Sequence, residues 1–242
     1  IQNQYFSAVK LGIAMKYDTT TVTKSETKKP FSLETFKEQT KEEISKLNYK
    51  KYWYQFSEEA KLDVVKDLKA TEVYFKNKLG FDIYPVYGTL LGIVRDDDFI
   101  GWDTDIDMAY LSKYHTNEEV LKEFNDLCNT LEKDTLLHYR IKTASHLHVW
   151  SPNKKLRIDL WISWIDNNGN YHIVWTVGGD INGSMILPFK TVTFKNQTFT
   201  QMNNPEQFLS AHYGNWTVPI GGEADEWNKR PFIFELEPWH GK

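Results

Sequence analysis

Cysteine is almost missing from the chain. Cys128 stands alone in 242 residues, so no intrachain disulfide can form and no cysteine-based zinc spacing exists. There is also no run of about 18 apolar residues, the length a membrane-crossing helix needs. An excess of basic charge is absent too: 29 Lys and Arg face 33 Asp and Glu, a formal net charge of -4. That balance argues against a nucleic-acid partner, which calls for a basic stripe. The chain opens on Ile1 and shows no recognisable signal peptide, which reads as a piece of a longer polypeptide. Sequons at Asn182, Asn196 and Asn215 are no more than chance supplies in a chain this rich in Asn and Thr, and decide nothing about secretion.

What remains is ordinary globular composition with many aromatics, 9 Trp, 13 Tyr and 14 Phe. Such an excess serves large cores at least as readily as binding surfaces. The length suits one large domain or two small ones, with a core that needs no covalent staples. Residues 1–56 are polar and irregular: a Thr/Lys-rich linker over 17–32, then a helix that Ser32 would cap. From Ser57 to Leu79, Leu62, Val65, Leu68, Phe75 and Leu79 share a helical face that Gly80 ends. The stretch 81–87 reads as a strand, 88–95 as a helix start, and "DIDMAYL" as a second strand. Thr116 and Glu119 form a capping box for a helix that buries Val120, Phe124, Leu127 and Leu131. Strands "LLHYRIK", "HLHVWS" and "LRIDLWISW" follow, the last two joined by a turn at Pro152-Asn153; a Pro-initiated helix spans 205–214. This alternation predicts an α+β domain over 57–242, a small mixed sheet flanked by helices, with residues 1–56 as an N-terminal helical arm and a C-terminal extension.

The chemistry concentrates in "GWDTDIDMAY" (101–110), where Asp103, Asp105 and Asp107 occupy alternate positions. On an extended backbone they project from one face. Carboxylates so close repel and raise one another's pKa unless a cation neutralises them. Asp159, between Ile158 and Leu160, is a further carboxylate in an apolar run, where an unpaired charge is costly. A solvated loop accounts for neither. Two carboxylates on one strand and a third on its neighbour can hold Mg²⁺ or Mn²⁺ through oxygen. The Gly88-Thr89 turn opens a helix whose N–H groups can hold a phosphate. Together these features resemble the nucleotidyltransferase fold, whose reaction is in-line transfer at phosphorus.

The stretch "YGTLLGIVRDDDFIGWDTDIDMAY" closely resembles the core motif of the LicD family, whose usual form runs G-T-L-L-G-x-x-R-x-x-x-F-I-P-W-D-x-D-I-D. "RIDLWI" resembles the family's second carboxylate motif and "NPEQFLSAHYGNWTVP" its C-terminal segment; the likeness covers roughly residues 60–220. The family includes bacterial phosphorylcholine transferases and fukutin-type ribitol-phosphate transferases. The resemblance implies a phosphotransferase that moves a phospho-substituent from a CDP-linked donor to a glycan hydroxyl, as in capsule or teichoic-acid decoration, releasing CMP. Two departures bear on which donor or acceptor is used: Asp96-Asp97-Asp98 where a basic residue and Gly are usual, and Gly101 where Pro precedes the Trp.

The implied roles follow residue by residue. Asp105 and Asp107 ligate Mg²⁺ or Mn²⁺ at the donor pyrophosphate. Asp159 completes the site and helps deprotonate the acceptor hydroxyl. Asp103 is a further ligand or a carboxylate that orients the others. Gly88 and Thr89 hold donor phosphate, and Arg95 is either a phosphate contact or a helix-surface charge. His146 and His148 share a strand face and are acceptor-side or acid/base candidates. Trp102, with Trp150 and Trp161 on nearby strands, offers aromatic faces for a quaternary ammonium or a sugar, core packing being the competing use of the latter two. Two other functions compete: a nucleotidyltransferase that moves a nucleoside monophosphate, and a non-catalytic glycan-binding domain of a longer protein. The Lys/Asn-rich composition and CDP chemistry point to the bacterial cytoplasm, with the Golgi lumen as alternative.

Overall fold

Ser57 starts the first helix as expected: its hydroxyl accepts the Ala60 N–H, and two glutamates occupy the first turn. A computed structural model describes residues 52–143, 145–173 and 181–218. The linker over 17–32, the helix begun by Ser32 and any extension beyond 218 lie outside the described residues. Helix α1 (Glu58–Tyr74) runs into a wider π-helical turn, Phe75–Leu79, which Gly80 ends at φ 77. Strand β1 (Ile83–Pro85) follows, then α2 (Tyr87–Leu91), continued by a second π turn, Gly92–Asp96. Strand β2 is Asp107–Leu111, and α3 is Asn117–Glu132, capped by Thr116.

The other strands are β3 (Tyr139–Thr143), β4 (His146–Trp150), β5 (Arg157–Ile165) and β6 (Tyr171–Ile173). Strands β7 (Lys190–Phe194) and β8 (Gln197–Gln201) form a separate hairpin, before α4 (Pro205–Tyr213). Lys195 and Asn196 both take positive φ, 45° and 67°, the geometry whose twist suits a two-residue hairpin. The main sheet has the order β1-β2-β5-β4-β3, with β6 on β5; β2 and β5 are parallel and the other pairs antiparallel. It is the mixed sheet between helices that the alternation predicts.

Strand β5 is buried along its whole interior, so its neighbours alternate between two cores. On one face Met108, Tyr110, Ile158, Leu160 and Ile162 pack with Val65 and Leu68 of α1 and Val120, Phe124 and Leu127 of α3. On the other, Ala109 and Trp161 pack with Tyr84, Tyr87, Leu90, Phe208 and Leu209. Trp53, ahead of α1, stacks on Phe99 at 4.3 Å between ring centroids and joins the first core. Among the described residues no helix is long and apolar enough to cross a membrane.

Candidate functional site

Asp107 and Asp159 are direct partners in the parallel β2–β5 register, so their side chains leave the same face of neighbouring strands, which lie about 4.8 Å apart. Backbone bonds fix both positions. The Asp107 N–H donates to the Thr89 hydroxyl at 2.8 Å, its carbonyl accepts from Val86 N–H, and the Asp159 N–H donates to the Ile106 carbonyl. Thr89 is thus the clamp that ties the start of β2 to α2.

The expected extended run of three aspartates is replaced by a turn. The Asp103 N–H donates to the Ile100 carbonyl, Asp103 Oδ1 accepts from the Thr104 N–H, and the strand begins only at Asp107. Asp105 therefore precedes β2, where it was expected to lie on the strand. The turn still folds Asp103 back towards Asp107: a Cβ added at Gly88 would meet Asp103 Oδ2 at 2.6 Å and Asp107 Oδ2 at 4.0 Å. Burial, then the nearby Asp105 charge, push the Asp103 carboxyl up to about 8. Burial and Asp105 likewise raise Asp107 well above the carboxylate range, against the pull of the Trp161 indole N–H on Oδ1 at 3.0 Å. Asp103 and Asp159 add to the rise.

Asp159 has the opposite surroundings. Burial works against its charge, yet His146, His148 and Arg157 hold it below its usual range. Oδ2 lies 3.4 Å from His146 Nε2; Oδ1 lies 3.5 Å from His148 Nε2 and 3.3 Å from Arg157 Nε. The two histidines reach it because β4 pairs with β5 in the register His148↔Asp159 and His146↔Trp161. Burial lowers the His148 pKa to about 4, against the attraction of Asp159. His146 stacks on Trp161 with 3.8 Å between centroids and 14° between planes.

The remaining expected residues lie around this centre. The Arg95 fork holds the Asp96 carboxylate through two 2.8 Å bonds and places its guanidinium 5.9 Å from the Trp102 ring centre. Trp150 meets His148 edge-on at 6.2 Å. Trp161 is core and site at once: one face covers His146 and its N–H holds Asp107. The aspartate run that departs from the usual motif is structural in part, since Asp98 is gripped by Lys61 at 2.5 Å and Lys195 at 3.0 Å.

Three residues without an expected role also belong here. Arg157 opens β5 beside Asp159. Tyr213, at the end of α4, is close enough to Asp107 and Asp103 that burial, then their charges, raise its phenol pKa. Tyr87 takes φ 48 just before Gly88, and its buried hydroxyl has no hydrogen-bond partner among the described residues. Tyr-Gly at the end of "SAHYG" is a visible helix stop, but nothing in one sequence says that this stop faces Asp107.

Residues 80–204 match the family described as LicD/FKTN/FKRP, nucleotidyltransferase domain. The chain belongs to this family. A comparison with curated proteins returns no match. Membership makes the chain a transferase of phosphate-containing groups, with glycans as the general class of acceptor. The donor atoms of this LicD-family site suit a divalent cation. Asp103 and Asp107 carry carboxyls whose charge burial and mutual repulsion oppose, and a divalent ion would offset that repulsion. His146, His148 and Asp159 each offer one ligand atom, all within 4.8 Å of one another.

Proposed function

We propose that the chain transfers a phospho-substituent, phosphocholine or a polyol phosphate, from a CDP-activated donor to a hydroxyl of a surface or cell-wall glycan, with release of CMP. The observation that carries the reading is the in-register pairing of Asp107 with Asp159 beside the Gly88-Thr89 turn, in a chain whose residues 80–204 match the LicD/FKTN/FKRP nucleotidyltransferase domain. Asp105 and Asp107, with Asp103 beside them, would hold Mg²⁺ or Mn²⁺ against the donor pyrophosphate. A bound ion would supply charge neutralisation as the phosphorus–oxygen bond to CMP breaks.

The chain's own groups do the rest. Gly88, with no Cβ, lets the Asp103 carboxylate close on the start of α2. The Gly88-Thr89 turn would present its backbone to the donor phosphate, and Arg95, steadied by Asp96 and Trp102, adds positive charge on that side. Asp159 is kept ionised by His146, His148 and Arg157, as a group that takes the proton of the acceptor hydroxyl must be. Trp102 supplies an aromatic face for the substituent. The division at residue 56 belongs to the same proposal, although the burial of Trp53 argues for drawing the boundary before Tyr52. We keep the bacterial cytoplasm as the compartment, with the Golgi lumen as alternative.

The test is incubation with CDP-choline, CDP-ribitol or CDP-glycerol and a glycan acceptor, with Mg²⁺ or Mn²⁺, using donor labelled in its distal phosphate. Attack at the distal phosphorus leaves label on the glycan and frees CMP, and this is the expected result. Attack at the proximal phosphorus would put cytidine on the acceptor and label on the departing alcohol phosphate, which is the nucleotidyltransferase outcome. Absence of CMP release with every donor would leave a glycan-binding domain.

A further inference from the structure

Asp159 turns both its oxygens towards β4, to two imidazoles, while Asp103, Asp105 and Asp107 gather at the loop that enters β2. We propose that His146, His148 and Asp159 form a second divalent-cation site, separate from the loop carboxylates, which takes a borderline transition-metal ion of the Zn²⁺ or Mn²⁺ kind in preference to Mg²⁺. The proposal does not rest on the phosphotransfer reading.

Spacing supports it first. The His146 Nε2–Asp159 Oδ2 and His148 Nε2–Asp159 Oδ1 distances are 3.4 and 3.5 Å. Two ligands about 2.0–2.1 Å from one zinc ion stand roughly 3.3–3.4 Å apart at a tetrahedral angle. The separations are thus long for hydrogen bonds and right for atoms that share an ion. The two separations involve different oxygens of Asp159; with one atom taken from each residue all three lie within 4.8 Å of one another, and a bound ion would draw the wider edges in.

Burial is the second, independent observation. His146 and Asp159 are 9% and 8% exposed, and His146 Nε2 and Asp159 Oδ1 are buried with no well-formed hydrogen bond among the described residues, their ionic neighbours standing off at 3.3–3.5 Å. Buried polar atoms of this kind carry a cost unless something binds them. Both imidazoles are also held in place. They alternate on β4 with Leu147 between them, opposite Trp161 and Asp159 of β5, and the His146 ring is stacked on Trp161. The donor set then selects the ion: imidazole nitrogen suits zinc and its neighbours, whereas Mg²⁺ favours oxygen and keeps its waters. Monodentate ligation would leave Asp159 one oxygen, towards Arg157 or an acceptor hydroxyl. The competing arrangement is a plain ion-pair cluster, in which Arg157 and protonated histidines serve Asp159 with no ion at all.

Chelator-stripped full chain should retain one equivalent of Zn²⁺ in equilibrium dialysis against a large excess of Mg²⁺. His148→Gln and His146→Asn should each weaken Zn²⁺ by more than about 100-fold, beyond the ~10–100-fold that loss of a supporting residue costs. Asp107→Asn should leave Zn²⁺ retention in place. Should the histidine variants misfold, X-ray absorption of the wild-type chain holding its one retained Zn²⁺ replaces them, and should show imidazole scattering around the zinc. Zn²⁺ retention that survives both histidine substitutions and is lost in Asp105→Asn and Asp107→Asn overturns the proposal, as do failure to retain Zn²⁺ and a zinc absorption spectrum without imidazole scattering. No readout involves donor or acceptor, so failure of CMP release and failure of this site are separate results.

Discussion

Asp107 is held by its neighbours on three sides: Thr89 takes its N–H, Val86 donates to its carbonyl, and Trp161 donates to its carboxylate. Its charge is opposed by burial and by Asp105. Asp107→Asn keeps the size and the Trp161 contact but removes a charge that the site disfavours. The expected outcome is a folded protein, as stable as the parent or more so, whose CMP release falls about 10³-fold or further, because a neutral amide is a poor ligand for a hard cation. Thermal unfolding and CMP release measured side by side check this; near-normal turnover would remove Asp107 from the mechanism. Thr89 differs in kind. Thr89→Val retains shape but orphans the Asp107 N–H, an expected stability loss of about 1–3 kcal/mol that Thr89→Ser should largely restore in denaturant melts. The Asp107–Asp159 pair was legible in the sequence, since carboxylates flanked by Ile, Leu and Met on strand-like runs have few other uses. The placing of Asp105 was not, because alternation of polar and apolar residues does not say where pairing starts. Here the Asp103 N–H is already spent on a turn to Ile100, which holds the first two aspartates off the ladder.

At the level of the element, α2 and its π turn carry two glycines with opposite demands. A Cβ at Gly92 would lie 2.5 Å from the Asp98 carbonyl oxygen and 3.1 Å from the Ile100 nitrogen. Those are backbone atoms of the loop that delivers the aspartates, and they cannot swing aside. A Cβ at Gly88 would lie 2.6 Å from Asp103 Oδ2, the free end of a side chain that can rotate. Gly92→Ala is therefore expected to cost about 1–3 kcal/mol or more by overpacking. Gly88→Ala should leave stability within about 1 kcal/mol, helped by the ~1 kcal/mol advantage of Ala over Gly in a helix, while turnover falls because Asp103 is displaced from the site. Unfolding curves and CMP-release rates for the two variants should thus separate cleanly; equal loss of stability at both would mean that Gly88 serves the backbone and not the carboxylates. The helices themselves were legible from caps and period, Ser57 and Gly80 bounding α1 and Thr116 starting α3. The meeting of β4 with β5 was not: that His146 and His148 share a face follows from alternation, but that this face is Asp159's depends on a register no single sequence displays.

Across the whole molecule, four charges lock together pieces far apart in the chain. Lys61 of α1 reaches Glu58 at 2.9 Å and Asp98 at 2.5 Å, and Lys195 of the β7–β8 turn reaches the same two carboxylates at 2.9 and 3.0 Å. The hairpin, the first helix and the loop leading to the aspartates are thereby cross-braced. Burial works against the Asp98 charge, but Lys61 and Lys195 outweigh it and hold its pKa below the usual value; the same two lysines lower Glu58. A carboxyl with a depressed folded pKa contributes stability that is fully present above its unfolded value, near 3.8 for Asp98, and is lost as pH falls through the folded value. The lysines, both raised, contribute in the opposite sense: fully below their unfolded value near 10.5, and lost as pH rises through the folded one. Between roughly pH 5 and pH 9 the brace is complete. Asp98→Asn leaves the side chain's shape but removes the charge facing a Lys61 side chain only 8% exposed. The expected cost at pH 7 is about 1–3 kcal/mol; it begins to shrink as pH falls below the unfolded value near 3.8 and vanishes only below the lower folded value. Denaturant unfolding of both proteins at pH 7, 5 and 3 measures this. A gap that persists unchanged at pH 3 would mean that the substitution acts through packing or the Phe99 N–H bond to Asp98 Oδ1, and that the charges brace nothing.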